Sequence, residues 1–141
     1  MQRIVLKKFD NKMAFDMGAK LIALAESRKQ HIAVEVSRLH QAVFLYVDEQ
    51  LPMDKHCWLK RKANVARQFE ESSLSVKHSL KEKGTTLEQH FGLDEKEFVA
   101  KGGAIPIFVE GAGMVAIITV SGLSDEEDHA IILEALAGTY I

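Results

Sequence analysis

The chain has one cysteine, Cys57, so no intrachain disulfide can form and no cysteine-rich zinc site can exist. It has no apolar run near the roughly 18 to 20 residues of a membrane span. Its first residues, MQRIVLKKFDNKMAF, lack the long apolar core of a secretory signal. It also lacks charge of one sign: the formal net charge is -2, so no whole-chain field draws it to nucleic acid. Low-complexity tracts, internal repeats and linkers rich in Pro, Gly or Ser are absent too. These absences predict a cytoplasmic chain in a reducing compartment, with neither a membrane nor a nucleic acid as partner.

What remains is an ordinary globular composition, 47% hydrophobic and 27% charged over 141 residues. That length suits one domain, 1–141, with a useful core. Met17, Leu21, Leu24 and Ala25 recur at helical spacing within 11–30, behind Asp10 or Asn11 as cap. In IAVEVSR (32–38), Ile32, Val34 and Val36 face one way while Glu35 and Ser37 face the other, which is a half-buried strand. AVFLYVD after it completes a hairpin. Residues 54–70 read as a helix with Asp54 as cap, interrupted further on by SSLS. The segment from Gly84 to Gly92 reads as loop, and 94–98 as a helical turn.

The stretch GGAIPIFVEGAGMVAIITVSGL (102–123) carries two strand-like runs joined by Gly-Ala-Gly. Glycine supplies the positive φ that a tight hairpin needs. Gly111 and Gly113 are followed by a strand rather than a helix, so they do not form a phosphate cradle. Ser124 and Glu127 have capping-box spacing, which starts a last helix that Gly138 ends. Hairpins separated by helices predict an α+β domain with an antiparallel sheet.

GGAIPIFVEGAGMVAIITVSGLSDEEDHA resembles the C-terminal half of the GlcG/HbpS-like, or haem-degrading-domain, family. DKHCWLKRKANVARQFEESS resembles a poorly characterised branch of it, and with HIAVEV and AVFLYV the resemblance runs from about 31 to 137. It implies a profilin-like fold with a five-stranded antiparallel sheet between helices, residues 2–7 being the candidate for the fifth strand. It also implies homo-oligomers, and for some members haem or corrinoid binding. It carries no settled activity.

Two polar residues break their local pattern. Lys62 falls inside the stripe Trp58, Val65, Ala66 and Phe69, where a buried ammonium needs a partner, an escape to water along its stem, or an anionic ligand. His129 projects with Ile132, Leu133 and Leu136, either as a bonded core histidine or as a ligand-contacting group. The sharper expectation joins them: a small polar cavity lined by Lys62, His129, Arg61 and Ser121 that takes a small anion such as a carboxylate. Lys62→Met would then abolish binding and leave the fold intact. Asn64 and Arg67 fall on the outer arc of the same helix, toward solvent or another subunit. No His-x-x-x-His or nucleophile–base pair is present, so neither a metal ligand set nor a catalytic constellation is read. One of His56 and Cys57 could serve as an axial haem ligand. The readings left open are a homo-oligomeric small-molecule-binding or accessory protein, a haem or tetrapyrrole enzyme, and an interaction module.

Overall fold

The computed structural model describes residues 2–141. Ten elements follow one another: β1 (Ile4–Leu6), α1 (Asn11–Ser27), β2 (Ala33–Arg38), β3 (Gln41–Val47), α2 (Asp54–Phe69), α3 (Ser73–Lys83), α4 (Leu87–Phe91), β4 (Ala104–Val109), β5 (Gly113–Ser121) and α5 (Asp125–Leu136). The strands form one sheet in the order β1-β4-β5-β2-β3. Three pairings are antiparallel, as expected: β4 with β5, β5 with β2, and β2 with β3. The fifth strand does come from the first residues, but β1 runs parallel to β4, so the sheet is mixed rather than purely antiparallel. The chain reaches β4 only after long excursions through the helices, and such a connection leaves strand direction free.

The pleat sorts residues between two unlike faces. Val34 and Val36 of β2, Ile118 and Val120 of β5, and Ile105 and Ile107 of β4 bury with Met17 and Leu21 of α1 and Ile132 and Leu136 of α5. This is the main core. The opposite face has a smaller apolar cluster, in which Ala104 and Ile117 pack with Ala63 and Ala66 of α2. Glu35 and Ser37 on β2 and Thr119 and Ser121 on β5 alternate onto that second face. Small residues let α2 lie close to the sheet, and polar ones then find themselves under a helix.

Local signals explain most boundaries. Asp10 caps α1 by accepting from the Met13 N–H, and Ser124 with Glu127 makes a complete capping box on α5. Asp54 sits in the first turn of α2 rather than at its cap, which is Met53 and has no side-chain bond. SSLS stops one helix and starts another: Glu70 takes a left-handed φ, and Ser72 caps α3 by accepting from Ser75 N–H. The Gly84–Gly92 segment is not all loop, because Thr86 caps the short helix α4, while 94–98 forms turns only.

Candidate functional site

The Lys62 side chain ends in an ion pair. Its ammonium is buried, and it donates to Asp128 Oδ2 at 2.8 Å and to the Val120 carbonyl at 3.0 Å. Asp128 Oδ1 in turn accepts from the Leu123 N–H at 3.0 Å. The side chains are 3% and 2% exposed, so this is a closed ion pair tying α2 to α5 and to the end of β5. Burial pushes the Lys62 ammonium down and the Asp128 carboxyl up to about 6, each partly opposed by the other's charge. The expectation that Lys62→Met leaves the fold intact is therefore corrected: the substitution strands a buried carboxylate.

The other three residues expected beside Lys62 lie elsewhere. His129 is buried on α5 and lines a cleft against α3. Arg61 faces a different cleft, beside Glu95 and Val99, where its guanidinium donates to the Glu95 carbonyl. Ser121 is buried on β5 in register with Ala33 and lines neither cleft. No cleft brings the four together, because Asp128, one residue before His129, has already taken the Lys62 ammonium.

The polar groups that do converge lie between α2 and the small-residue face of β2. His56, Lys60, Asn64 and Arg67 follow one another by four, four and three residues, which puts them on one helical stripe. Below them are Glu35 and Ser37 of β2, with His40 and Ala42 at the β2–β3 turn, around a cleft of about 390 Å³. Arg67 donates to Asn64 Oδ1 at 2.8 Å and to Ser37 Oγ at 3.3 Å. Its Nε is buried with no partner, and so is the hydroxyl oxygen of Thr119, which lies opposite Glu35 across the β2–β5 ladder. Each orphaned polar atom costs about 1 to 3 kcal/mol unless something meets it. Burial pushes the Glu35 carboxyl up, with His56 and Arg67 pulling it back; burial pushes Arg67 down, with Glu35 opposing. The cleft holds two permanent cations, Lys60 and Arg67, against one carboxylate, Glu35. Lys60 makes only a long, exposed contact of 3.9 Å to Glu97. An anion bearing a hydrogen-bond donor suits that set, the anion at Arg67 and Lys60 and the donor at Glu35.

Arg67 thus turns toward the sheet at Ser37, while Asn64 accepts from Arg67 and donates to the Glu97 carbonyl at 2.8 Å. One arc of α2 is covered by the sheet and the adjoining arc by α3 and the segment at 93–100, where Val65 packs with Val76, Leu80 and Leu87. The buried arc is wider than a single apolar stripe. The signal was present: the polar half of the IAVEVSR alternation and the 56-60-64-67 repeat are each visible, but nothing in one strand and one helix states that they meet. No group of three or more metal-ligating side chains converges among the described residues.

These features define a helix-covered mixed sheet with a ligand-sized polar cleft under its second helix. Residues 9–137 match the family model described as "Haem degrading protein HbpS-like", and the chain belongs to that family. A UPF0303 protein of Zymomonas mobilis is 38% identical over 94% of this chain and 71% of its own length. Another, from Streptomyces coelicolor, is 35% identical over 96% of this chain and 85% of its own. Among solved structures, the Ybr137w protein superposes with a TM-score of 0.85 at 29% identity, covering 95% of this chain and 80% of that one. PduOC in its haem complex superposes with a TM-score of 0.76 at 17% identity, covering 92% and 93%, which is a likeness of fold. The profilin-like α+β fold and the family resemblance are thus both established. No helix among the described residues is long and apolar enough to cross a membrane.

Proposed function

We propose that this is a cytoplasmic, single-domain, homo-oligomeric binding protein for a small organic anion, held between α2 and β2. The observation that carries the reading is the Arg67 guanidinium, half-buried in a cleft with its Nε unpartnered and no carboxylate within ion-pair distance. A guanidinium presents a planar fork that pairs well with a carboxylate or phosphate. Calorimetric titration with a panel of small hydroxy acids, amino acids and organic phosphates tests it. Arg67→Ala is expected to weaken binding about 10- to 150-fold, the loss of about 1.5 to 3 kcal/mol expected for charged hydrogen bonds. Arg67→Lys should restore only part, since it keeps the charge and loses the fork. A panel that gives no heat, or an Arg67→Ala protein that binds as tightly as wild type, rejects the reading.

Assembly rests on the sheet edge. β3, QAVFLYV, is a seven-residue edge strand with no charge and no proline, and Leu45 on it is exposed. Such an edge is a template for another chain unless it is covered. Light scattering at micromolar concentration is expected to report at least a dimer, and a monomer throughout that range would reject it.

A second reading, haem binding, is favoured by the family description and by the haem complex among the fold neighbours. His56 and His40 at the same cleft are the imidazoles available for it. A Soret shift on haem titration that disappears in His56→Ala would support haem over the small anion.

A further inference from the structure

A second cleft, of about 520 Å³, lies between α3 and α5 and shares no lining residue with the first. One wall is a polar stripe along α3: Ser75, His78, Ser79 and Glu82, preceded by Glu71. The other is His129 of α5, only 8% exposed, whose Nδ1 is fully buried and meets no partner. A buried imidazole facing a cleft with an unused nitrogen is costly to keep without something to bond. Burial also holds the imidazole below its ordinary range, so it is neutral near pH 7.

The chemistry of the walls selects the ligand class. Among the described residues no lysine or arginine lines this cleft and two carboxylates do, which disfavours an anion. Among the described residues no three metal ligands converge, so they offer a bare metal ion no cage. The carboxylates do not meet on one point either: Glu71 is engaged by the Ser75 hydroxyl at 3.4 Å, and Glu82 is exposed three turns along the stripe. What the floor offers is neutral hydrogen bonding, from serine hydroxyls and an imidazole, beside the apolar side chain of Leu74. Carboxylates and imidazole accept, hydroxyls donate and accept, and Leu74 meets a C–H face. We propose that the α3–α5 cleft is a second binding site, specific for a small neutral polyhydroxylated molecule such as a sugar or cyclitol. This site does not depend on the anion reading of the α2–β2 cleft.

The test is ligand-observed saturation-transfer NMR with glucose and myo-inositol, together with the ring resonances of His129 in the full chain. At millimolar ligand, at least one polyol is expected to receive saturation and to move the His129 ring signals. Ser79→Phe, which fills the cleft from its half-buried wall, should remove both effects while leaving the melting temperature and the α2–β2 anion titration unchanged. His129→Ala should remove the transfer too, and Ser79→Phe keeps the test decisive if that variant does not fold. Absence of transfer and of ring shifts with either polyol overturns the proposal. So does a larger His129 shift with spermidine or inorganic phosphate than with any polyol, or transfer that survives Ser79→Phe.

Discussion

Replacing Lys62 by methionine is expected to lower stability by about 3 to 5 kcal/mol, the usual result of removing one partner from a buried ion pair. The carboxylate of Asp128, 2% exposed, would keep only the Leu123 N–H. Asp128→Leu alone should do comparable damage by stranding the ammonium against the Val120 carbonyl. The double variant, Lys62→Met with Asp128→Leu, should recover most of the loss, because two apolar side chains of similar volume replace two desolvated charges. Urea unfolding of the four proteins measures this directly. Simple additivity of the two single losses would show that the charges are not coupled, and the idea would fail.

The same pair gives a pH signature. Burial raises Asp128 to about 6 from its usual 3.8, so between about pH 4 and 6 the folded protein keeps a proton that the unfolded chain has released. Unfolding in that window releases a proton, so this group's contribution to stability falls as pH rises through it. Lys62 is shifted downward, so at alkaline pH the unfolded chain holds the extra proton and stability from that group rises with pH toward 10.5. The stability difference between wild type and the double variant is therefore expected to favour wild type more at pH 4 than at pH 7. A difference that does not change between those two values would show that Asp128 is not titrating there.

Gly103→Ala is the second large effect expected. Gly103 has φ of +129°, and an added Cβ would lie 2.4 Å from the Val120 carbonyl oxygen and 2.9 Å from Lys62 Nζ. The first obstacle is backbone of the adjacent strand and cannot swing aside. The Val120 N–H donates to the Gly103 carbonyl at 2.8 Å, so moving either chain also breaks a ladder bond. Strained backbone costs about 1 to 3 kcal/mol and overpacking a similar amount, so a loss of about 2 to 6 kcal/mol is expected. Thermal unfolding of Gly103→Ala beside Gly111→Ala separates the two causes. Gly111 also has positive φ, at +79°, but its Cβ would meet nothing, so its loss should be confined to strain. Equal melting points for the two variants would remove the close approach at Gly103 as a cause.

Gly103 thus has its reason in the ion pair, while Gly102 lies against the Asp125 backbone carbonyl. Gly103 lets the start of β4 pass close enough to β5 for the Lys62 ammonium to reach the Val120 carbonyl without a side chain in the way. In the sequence the Gly-Gly pair was legible as the head of a family-like motif, but Lys62, which Gly103 makes room for, lies 41 residues upstream on α2.

The sequence by itself determined what short-range chemistry decides. Alternation sorted β2 between two faces, with Val34 and Val36 toward the main core and Glu35 and Ser37 on the other, but the strand is not half-buried, because α2 covers that second face too. Gly111 and Gly113 made a hairpin of β4 and β5, and Ser124 with Glu127 capped α5. Spacing also exposed Lys62 and His129 as buried polar residues, which both are. Only the tertiary structure decided their partners. Lys62 meets Asp128 across 66 residues, and His129 turns toward α3 instead of α2. Arg67 meets Ser37 across 30 residues and so turns an apparent outer arc into a cleft wall. Helical and strand periods report which residues share a face of one element. Which element that face meets depends on how the helices settle on the sheet, and no local spacing carries that.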